Sequence, residues 1–241
     1  MLHFVNNENA NFEDRLYKIK SIIDKLKENY AKYYDPPEVV CIDESVIPFR
    51  GRVVFRQYIK QKRHKCGVKL FKLCFKPGYT YNFEIYCGKQ FGKEKTTPKG
   101  VATSLCKNIF DKGHTLCIDN WYTSIDLAEE FIARNTHVIG TIRSNRRRIS
   151  KEVVQKKLRG EIFAKENKAG ITLMKWKDKR DVLLLSTKQR RLLLEKKDMI
   201  LLEKKDMILL NRNLLLIIMK PRVPLMFLTK WQHTVIHYAK L

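Results

Sequence analysis

Acidic side chains are scarce in this sequence: 25 Asp and Glu stand against 49 Lys and Arg, a formal net charge of +24 over 241 residues. That shortage excludes the near-neutral surface usual for a small-metabolite enzyme. It points to a polyanionic partner, either nucleic acid or an acidic membrane face. Long apolar runs are missing as well. The longest, Leu214 to Met219, falls far short of the roughly 18 residues a spanning helix needs, so no membrane span is expected. The first residues, Met1-Leu2-His3-Phe4 followed by Asn and Glu, carry neither a basic head nor an apolar signal region. The chain therefore reads as intracellular and soluble. There are six cysteines, at 41, 66, 74, 87, 106 and 117, with no CxxC pair and no His at finger spacing. No zinc site and no disulfide framework are expected, and the thiols are read as reduced and mostly buried.

What is present suffices for one core or two small ones, at 44% hydrophobic residues. Leu16, Ile19, Ile22, Ile23, Leu26 and Tyr30 recur at helical steps and predict a helix over 11–34, with Asn11 and Asp14 as a capping arrangement. Asp35-Pro36-Pro37 ends it. Strands are predicted over 38–46, 53–59, 69–75 and 81–86, the last two joined by a Pro77-Gly78 turn. The period then changes. Helices are predicted over 101–111 and 124–134, the second with Leu127, Ala128, Phe131 and Ile132 on one side, and strands over 114–118 and 137–142. Hairpins followed by alternating helix and strand argue for an α/β domain with a mixed sheet.

Beyond this the chain is less regular. A basic helix is expected over 148–158, with strands over 162–164, 171–176 and 182–185. From Lys188 a Leu/Lys-rich tail follows, in which Glu195–Leu202 recurs identically as Glu203–Leu210. Eight residues match neither a heptad nor a solenoid period, so the repeat reads as a local duplication in a poorly defined tail.

Two acids stand out. Cys41-Ile42-Asp43 and Cys117-Ile118-Asp119 each end an apolar strand with a carboxylate. Alternation puts Val39, Cys41 and Asp43 on one face, and Cys117 with Asp119. Were the two strands neighbours, both acids would leave the sheet from one edge, repelling each other unless a cation lay between them. Mg²⁺ or Mn²⁺ suits such oxygen ligands. The plainer alternative is ordinary acids in strand-to-loop turns.

The flanking residues add to this. After the first acid stand Glu44-Ser45 and then Pro48-Phe49-Arg50-Gly51-Arg52; after the second stand Asn120-Trp121-Tyr122-Thr123-Ser124. Further blocks are Phe55–Ile59 with the following Lys60–Lys65, Gly67-Val68-Lys69, Gly78-Tyr79, Ile85–Lys89, Gly140–Arg146 and Trp176–Ser186. Together they resemble the piggyBac family of transposable element-derived proteins over roughly residues 1–187. The resemblance implies a DDE transposase with an RNase H-like fold: a mixed sheet flanked by helices, here with an N-terminal helix and a poorly defined C-terminal tail. It divides the chain into an N-terminal helical segment (1–34), an RNase H-like catalytic core (35–150), an insertion-like strand and hairpin region (151–187) and a degenerate tail (188–241). By resemblance, Asp43 and Asp119 are the first and second catalytic carboxylates and hold divalent metal for DNA cleavage and strand transfer. Glu44 points the opposite way and is the weaker ligand. Trp121 and Tyr122 anchor their loop in the core, with stacking on a splayed base as the alternative.

The third Asp of the family should follow Trp176–Ser186 in a Gly-Val-Asp setting. Here the duplicated tail stands in its place, and neither Asp198 nor Asp206 has that context. The departure implies a truncated, transposon-derived copy with impaired catalysis. The resemblance further implies DNA as partner, a homodimer and a nuclear location, with no membrane and no small-molecule substrate. The alternative from another class is a domesticated, non-catalytic basic module that holds nucleic acid or protein.

The positive charge has two addresses. Ten basic residues and no acid lie between Arg50 and Lys76, among them Arg52, Arg56, Lys60, Lys62, Arg63 and Lys65. A second cluster begins at Arg143 and includes Arg146, Arg147 and Arg148, with Glu152 its one acid as far as Arg159. These eleven cations, Arg50 to Lys65 and Arg143 to Arg148, are the expected phosphate contacts. A solvated surface face is the plain alternative.

Overall fold

Backbone pairing decides where the apolar stretches become strands, and it moves several of the predicted boundaries. A computed structural model of the chain describes residues 5, 13–60, 64–88, 96–155, 162–177 and 181–188. Their contacts fall into two units. One runs to Ile109 without 76–78, and the other takes 76–78 and everything described from Phe110 onward.

In the first unit a 3₁₀ turn, Tyr17–Ile19, leads into helix α1, Lys20–Tyr33. Asp14 prepares this entry, its Oδ1 accepting from the Leu16 N–H at 3.0 Å; Asn11 lies outside the described residues. None of α1 is fully buried, and Ile19 and Leu26 of the expected stripe remain exposed. The helix is held through aromatics instead. The Tyr79 hydroxyl donates to the Tyr30 carbonyl at 2.8 Å, and the Tyr30 ring lies 6.2 Å from that of Phe83.

Strands β1 (Val39–Pro48), β3 (Cys66–Phe75) and β4 (Tyr79–Ile85) form an antiparallel sheet, β3 pairing with both others. Pro77 and Gly78 sit in the turn from β3 to β4, as the Pro-Gly pair predicts. Along β1, Val40 and Ile42 are buried while Val39, Cys41 and Asp43 of the other face are half-buried. The alternation stands as read; the placing of Asp43 at the end of an apolar strand does not. β1 continues five residues past Asp43 because β3 keeps pairing with it, as far as Pro48 opposite Gly67. Gly67 permits that approach, since a Cβ there would lie 2.0 Å from the Ile47 carbonyl oxygen.

The strand expected over 53–59 shrinks to β2, Gln57–Tyr58, paired with the start of β3. The Arg56 N–H donates to the Val53 carbonyl at 3.1 Å, which folds the preceding residues into a turn. Helix α2 runs Pro98–Leu105, earlier and shorter than expected. Thr97 caps it by accepting from the Gly100 N–H, with Pro98 at the first helical position. Val101, Ala102 and Leu105 are its buried side. The last carbonyl accepts from the Asn82 side-chain amide at 3.0 Å.

In the second unit β5 (Thr115–Ile118), α3 (Ile125–Ala133) and β6 (His137–Thr141) make a βαβ unit whose strands pair in parallel, Thr115 opposite His137 and Ile118 opposite Gly140. Ser124 caps α3 through the Leu127 N–H at 3.2 Å. Leu127, Ala128 and Phe131 are fully buried, and Phe131 meets Phe110 edge-on at 5.0 Å. Three of the four predicted residues thus form the buried face; Ile132 is half-buried, and Ile125 is buried with them.

Helix α4 is a single turn, Lys151–Val154. The longer basic helix could not start at Arg148, whose φ of 66° is left-handed, and residues 156–158 lie outside the described set. Strands β7 (Ile162–Glu166), β8 (Thr172–Lys177) and β9 (Asp181–Ser186) form an antiparallel meander whose last strand pairs with β6. The sheet of this unit is thus mixed, in the order β5-β6-β9-β8-β7, and the fold class is α/β with helices against the sheet. Among the described residues no helix is long and apolar enough to cross a membrane.

Candidate functional site

Asp119 follows β5 directly, at the carboxyl end of a parallel strand, the place where open α/β sheets put their ligands. The four residues of β5 are all buried, and Asp119 and Asn120 are exposed. The apolar run therefore carries the carboxylate from the core to solvent in one step. The turn that follows is folded back on Asp119. Its Oδ1 accepts from the Trp121 N–H at 2.9 Å, and its carbonyl accepts from the Thr123 hydroxyl at 2.7 Å and the Thr123 N–H at 3.2 Å. Tyr122 is buried and is the anchor of this turn; Trp121, edge-on to it at 4.7 Å, is half-buried.

Two cations from beyond β6 meet the same turn. The Arg143 Nε donates to the Asn120 Oδ1 at 3.0 Å. One Arg146 amino group donates to the Asn120 carbonyl at 3.2 Å and the Trp121 carbonyl at 2.6 Å. The Arg146 Nε is buried with no hydrogen-bond partner among the described residues. Arg148 is engaged elsewhere: it forks onto the Glu129 carboxylate at 2.6 and 2.7 Å and reaches the Asp126 Oδ1 at 2.9 Å, on α3. Its guanidinium holds the Glu129 carboxyl below the usual glutamate range. Arg147 is exposed, and no hydrogen bond or ion pair engages its side chain among the described residues.

Asp43 lies in the first unit, half-buried at the middle of β1 and directly opposite Lys72 of β3. Lys72 is a neighbour that sequence alone could not name, because it comes from strand register. Glu44, on the other face, is ion-paired to Lys69 at 3.0 Å. The Lys69 ammonium also lies 4.7 Å from the centre of the Phe71 ring.

The Phe49–Arg52 block is a loop closed by Arg56, whose guanidinium donates to the Arg50 and Gly51 carbonyls at 3.1 and 3.3 Å. The Phe49 ring packs so closely on Gly51 that a Cβ there would lie 2.6 Å from its Cζ. Arg50 and Arg52 remain exposed, as do Lys60 and Lys65, and no hydrogen bond or ion pair engages these four side chains among the described residues. Lys62 and Arg63 lie outside the described residues.

All six thiols are free, but only Cys106 and Cys117 are buried; Cys66 is exposed and the other three are half-buried. The expectation of mostly buried thiols is corrected accordingly: in two-faced strands the cysteines follow the alternation, and some fall on the half-buried side. Burial pushes the Cys117 thiol up to about 12, with Lys188 acting weakly against it. Cys117 is therefore a thiol and not a thiolate in the neutral range.

Two carboxylates offer the hard oxygen donors that Mg²⁺ and Mn²⁺ take, and Mg²⁺ is commonly held by one or two carboxylates together with water and substrate phosphate. Asp43, in the first unit, and Asp119, in the second, are each by themselves donors of that kind. Among the described residues no group of three or more His, Cys, Asp or Glu side chains could hold a metal.

The fold has counterparts. The family model described as Transposase IS4 matches residues 1–212. Human PiggyBac transposable element-derived protein 3 is 26% identical over 197 residues, covering 77% of this chain and 33% of the relative. The human chimeric ERCC6-PGBD3 protein matches at the same identity, covering 77% of this chain and 18% of its own length. Among solved structures, a piggyBac transposase in a synaptic complex with hairpin DNA superposes with a TM-score of 0.71 at 26% identity, over 77% of this chain and 41% of that one. The chain spans about a third of the first of these relatives and less of the second. It belongs to the Transposase IS4 family, as a piggyBac-derived member.

Proposed function

We propose that this chain is a DNA-binding transposase domain in which Asp43 and Asp119 are the carboxylates for a divalent metal, and whose catalysis is impaired for want of the third Asp. The observation that carries the reading is the Asp119 turn. An exposed carboxylate stands at the carboxyl end of a parallel strand with one oxygen fixed by a backbone N–H, in a chain whose structural neighbour is a transposase bound to DNA. Mg²⁺ or Mn²⁺ bound there would supply Lewis-acid stabilisation of charge on phosphoryl oxygens. The chain's own part is to present the Asp119 carboxylate in one orientation and to draw the phosphate backbone in with its exposed cations.

Of the eleven expected phosphate contacts, Arg50, Arg52, Lys60, Lys65 and Arg147 suit that second task among the described residues, because their side chains are exposed and uncommitted. Lys62 and Arg63 join them on sequence grounds. Phosphate contacts of this kind are electrostatic and carry no sequence information themselves. No Gly-Val-Asp occurs in residues 187–241, and ligand geometry is what phosphoryl transfer loses first. A nuclear location and a homodimer belong to the same proposal.

Incubation of the purified chain with supercoiled plasmid and Mg²⁺ or Mn²⁺ tests both parts. The expected result is plasmid binding at low salt with nicking no higher than background. Nicking that disappears in both Asp43→Ala and Asp119→Ala would overturn the impairment and leave two carboxylates sufficient. No binding at low salt would overturn the DNA reading itself.

A further inference from the structure

We propose that Arg143 and Arg146, which by charge alone read as phosphate contacts, are positioning residues that set the orientation of the Asp119 carboxylate. This rests on the reading of Asp119 as a metal-holding carboxylate for its consequence, but not for its geometry.

The geometry turns on one peptide group. The unit joining Asn120 to Trp121 is planar and trans, so its C=O and its N–H point in opposite directions and cannot be aimed independently. Its carbonyl accepts from Arg146 at 3.2 Å, while its N–H donates to the Asp119 Oδ1 at 2.9 Å. Fixing one end fixes the other. The next carbonyl, that of Trp121, accepts from the same Arg146 nitrogen at 2.6 Å, which resists rotation of the pair. Arg143 holds the Asn120 side chain at 3.0 Å and closes the turn from a second direction.

These contacts cross about 25 residues of sequence, so the turn is held by tertiary structure and not by its own local bonds alone. Arg146 also has its Nε buried without a partner among the described residues, a placement that removes one donor face of the guanidinium from any phosphate. Arg147, one residue later, is exposed, and no hydrogen bond or ion pair engages its side chain among the described residues.

Hydrogen–deuterium exchange on the full chain, alongside DNA binding over a salt series, tests the assignment. Arg146→Ala is expected to raise exchange of the 121–123 amides at least tenfold, with amides of β8 and β9 unchanged. The slope of log affinity against log salt should stay as in the parent chain. Arg147→Ala is expected to do the reverse, leaving exchange alone and lowering the slope by about one, as loss of a single phosphate contact requires. Asn120→Ala removes the Arg143 acceptor without removing a cation, and should loosen the turn with no change of slope. Unchanged exchange in Arg146→Ala together with a slope lowered by about one would make Arg146 a phosphate contact and overturn the proposal. Mn²⁺ titration of the parent chain and of Asp119→Ala is the separate arm. If the parent binds no Mn²⁺ through Asp119, the metal reading fails while the exchange result still decides what the arginines do.

Discussion

Gly140 of β6 lies against Thr123, so near that a Cβ on Gly140 would sit 2.5 Å from the Thr123 Oγ1 and 2.5 Å from the Ile118 carbonyl oxygen. Thr123 is fully buried, and its hydroxyl is the group that donates to the Asp119 carbonyl. The absent side chain at Gly140 is thus what lets β6 pass beside the turn that presents the acid. Gly140→Ala is expected to destabilise the chain by about 1–3 kcal/mol through overpacking, read as a fall in the urea midpoint. Exchange at the 121–123 amides should rise with it. A variant as stable as the parent, with those amides still protected, would show that the contact relaxes without cost.

Lys175 is a lysine inside the fold, 3% exposed. Its ammonium donates to the Val154 and Gln155 carbonyls at 2.8 and 2.7 Å and pairs with the Asp181 carboxylate at 3.0 Å. It therefore ties the end of α4 to the β8–β9 pair. Lys175→Ala is expected to cost about 1–3 kcal/mol, because three contacts to a charged donor are lost together with the packing of its buried stem. Chemical denaturation measures it; a loss below about 0.5 kcal/mol would mean that water replaces the ammonium freely.

Asp181 supplies a pH dependence. Hydrogen bonds from Lys177 and then Lys175 hold its carboxyl below the ordinary aspartate range. A carboxyl lowered in the folded state adds stability above its unfolded value, and that stability disappears as pH falls through the folded value. The parent chain is therefore expected to exceed Asp181→Asn in thermal midpoint at pH 6–7, and the two should converge as pH drops below about 3.8. A gap that persists at low pH would assign the effect to packing.

The thiols give a chemical map of the fold. Burial raises the pKa of Cys106 and Cys117, while Cys66 is exposed. Native alkylation with iodoacetamide at pH 8, followed by mass spectrometry, should label Cys66 first and leave Cys106 and Cys117 until denaturant is added. Early labelling of Cys117 would contradict the burial of β5.

How far the sequence reached is clearest residue by residue. The α3 face was legible because Leu127, Ala128 and Phe131 obey the helical period and Ser124 is a strong cap. Asp119 was legible because an apolar run of strand length stops at it. The middle position of Asp43 was not, since the end of β1 depends on how long β3 continues to pair with it. Nor was the buried place of Lys175, which reads as an outward basic residue in an alternating strand until α4 and Asp181 are brought against it. The roles of Arg143 and Arg146 had the same obstacle: a charge run looks alike whether its guanidinium groups face a phosphate or a carbonyl, and only the tertiary fold distinguishes them.

Whether the positive charge of this chain serves DNA is decided by the salt dependence of duplex binding, followed by fluorescence anisotropy. The five described cations together with Lys62 and Arg63, all meeting phosphates, would give a slope near −6.3 in log affinity against log salt, or about 6,000-fold weaker binding at 200 mM than at 50 mM salt. A loss of that order supports the account. Affinity that is absent at 50 mM, or unchanged between the two concentrations, contradicts it.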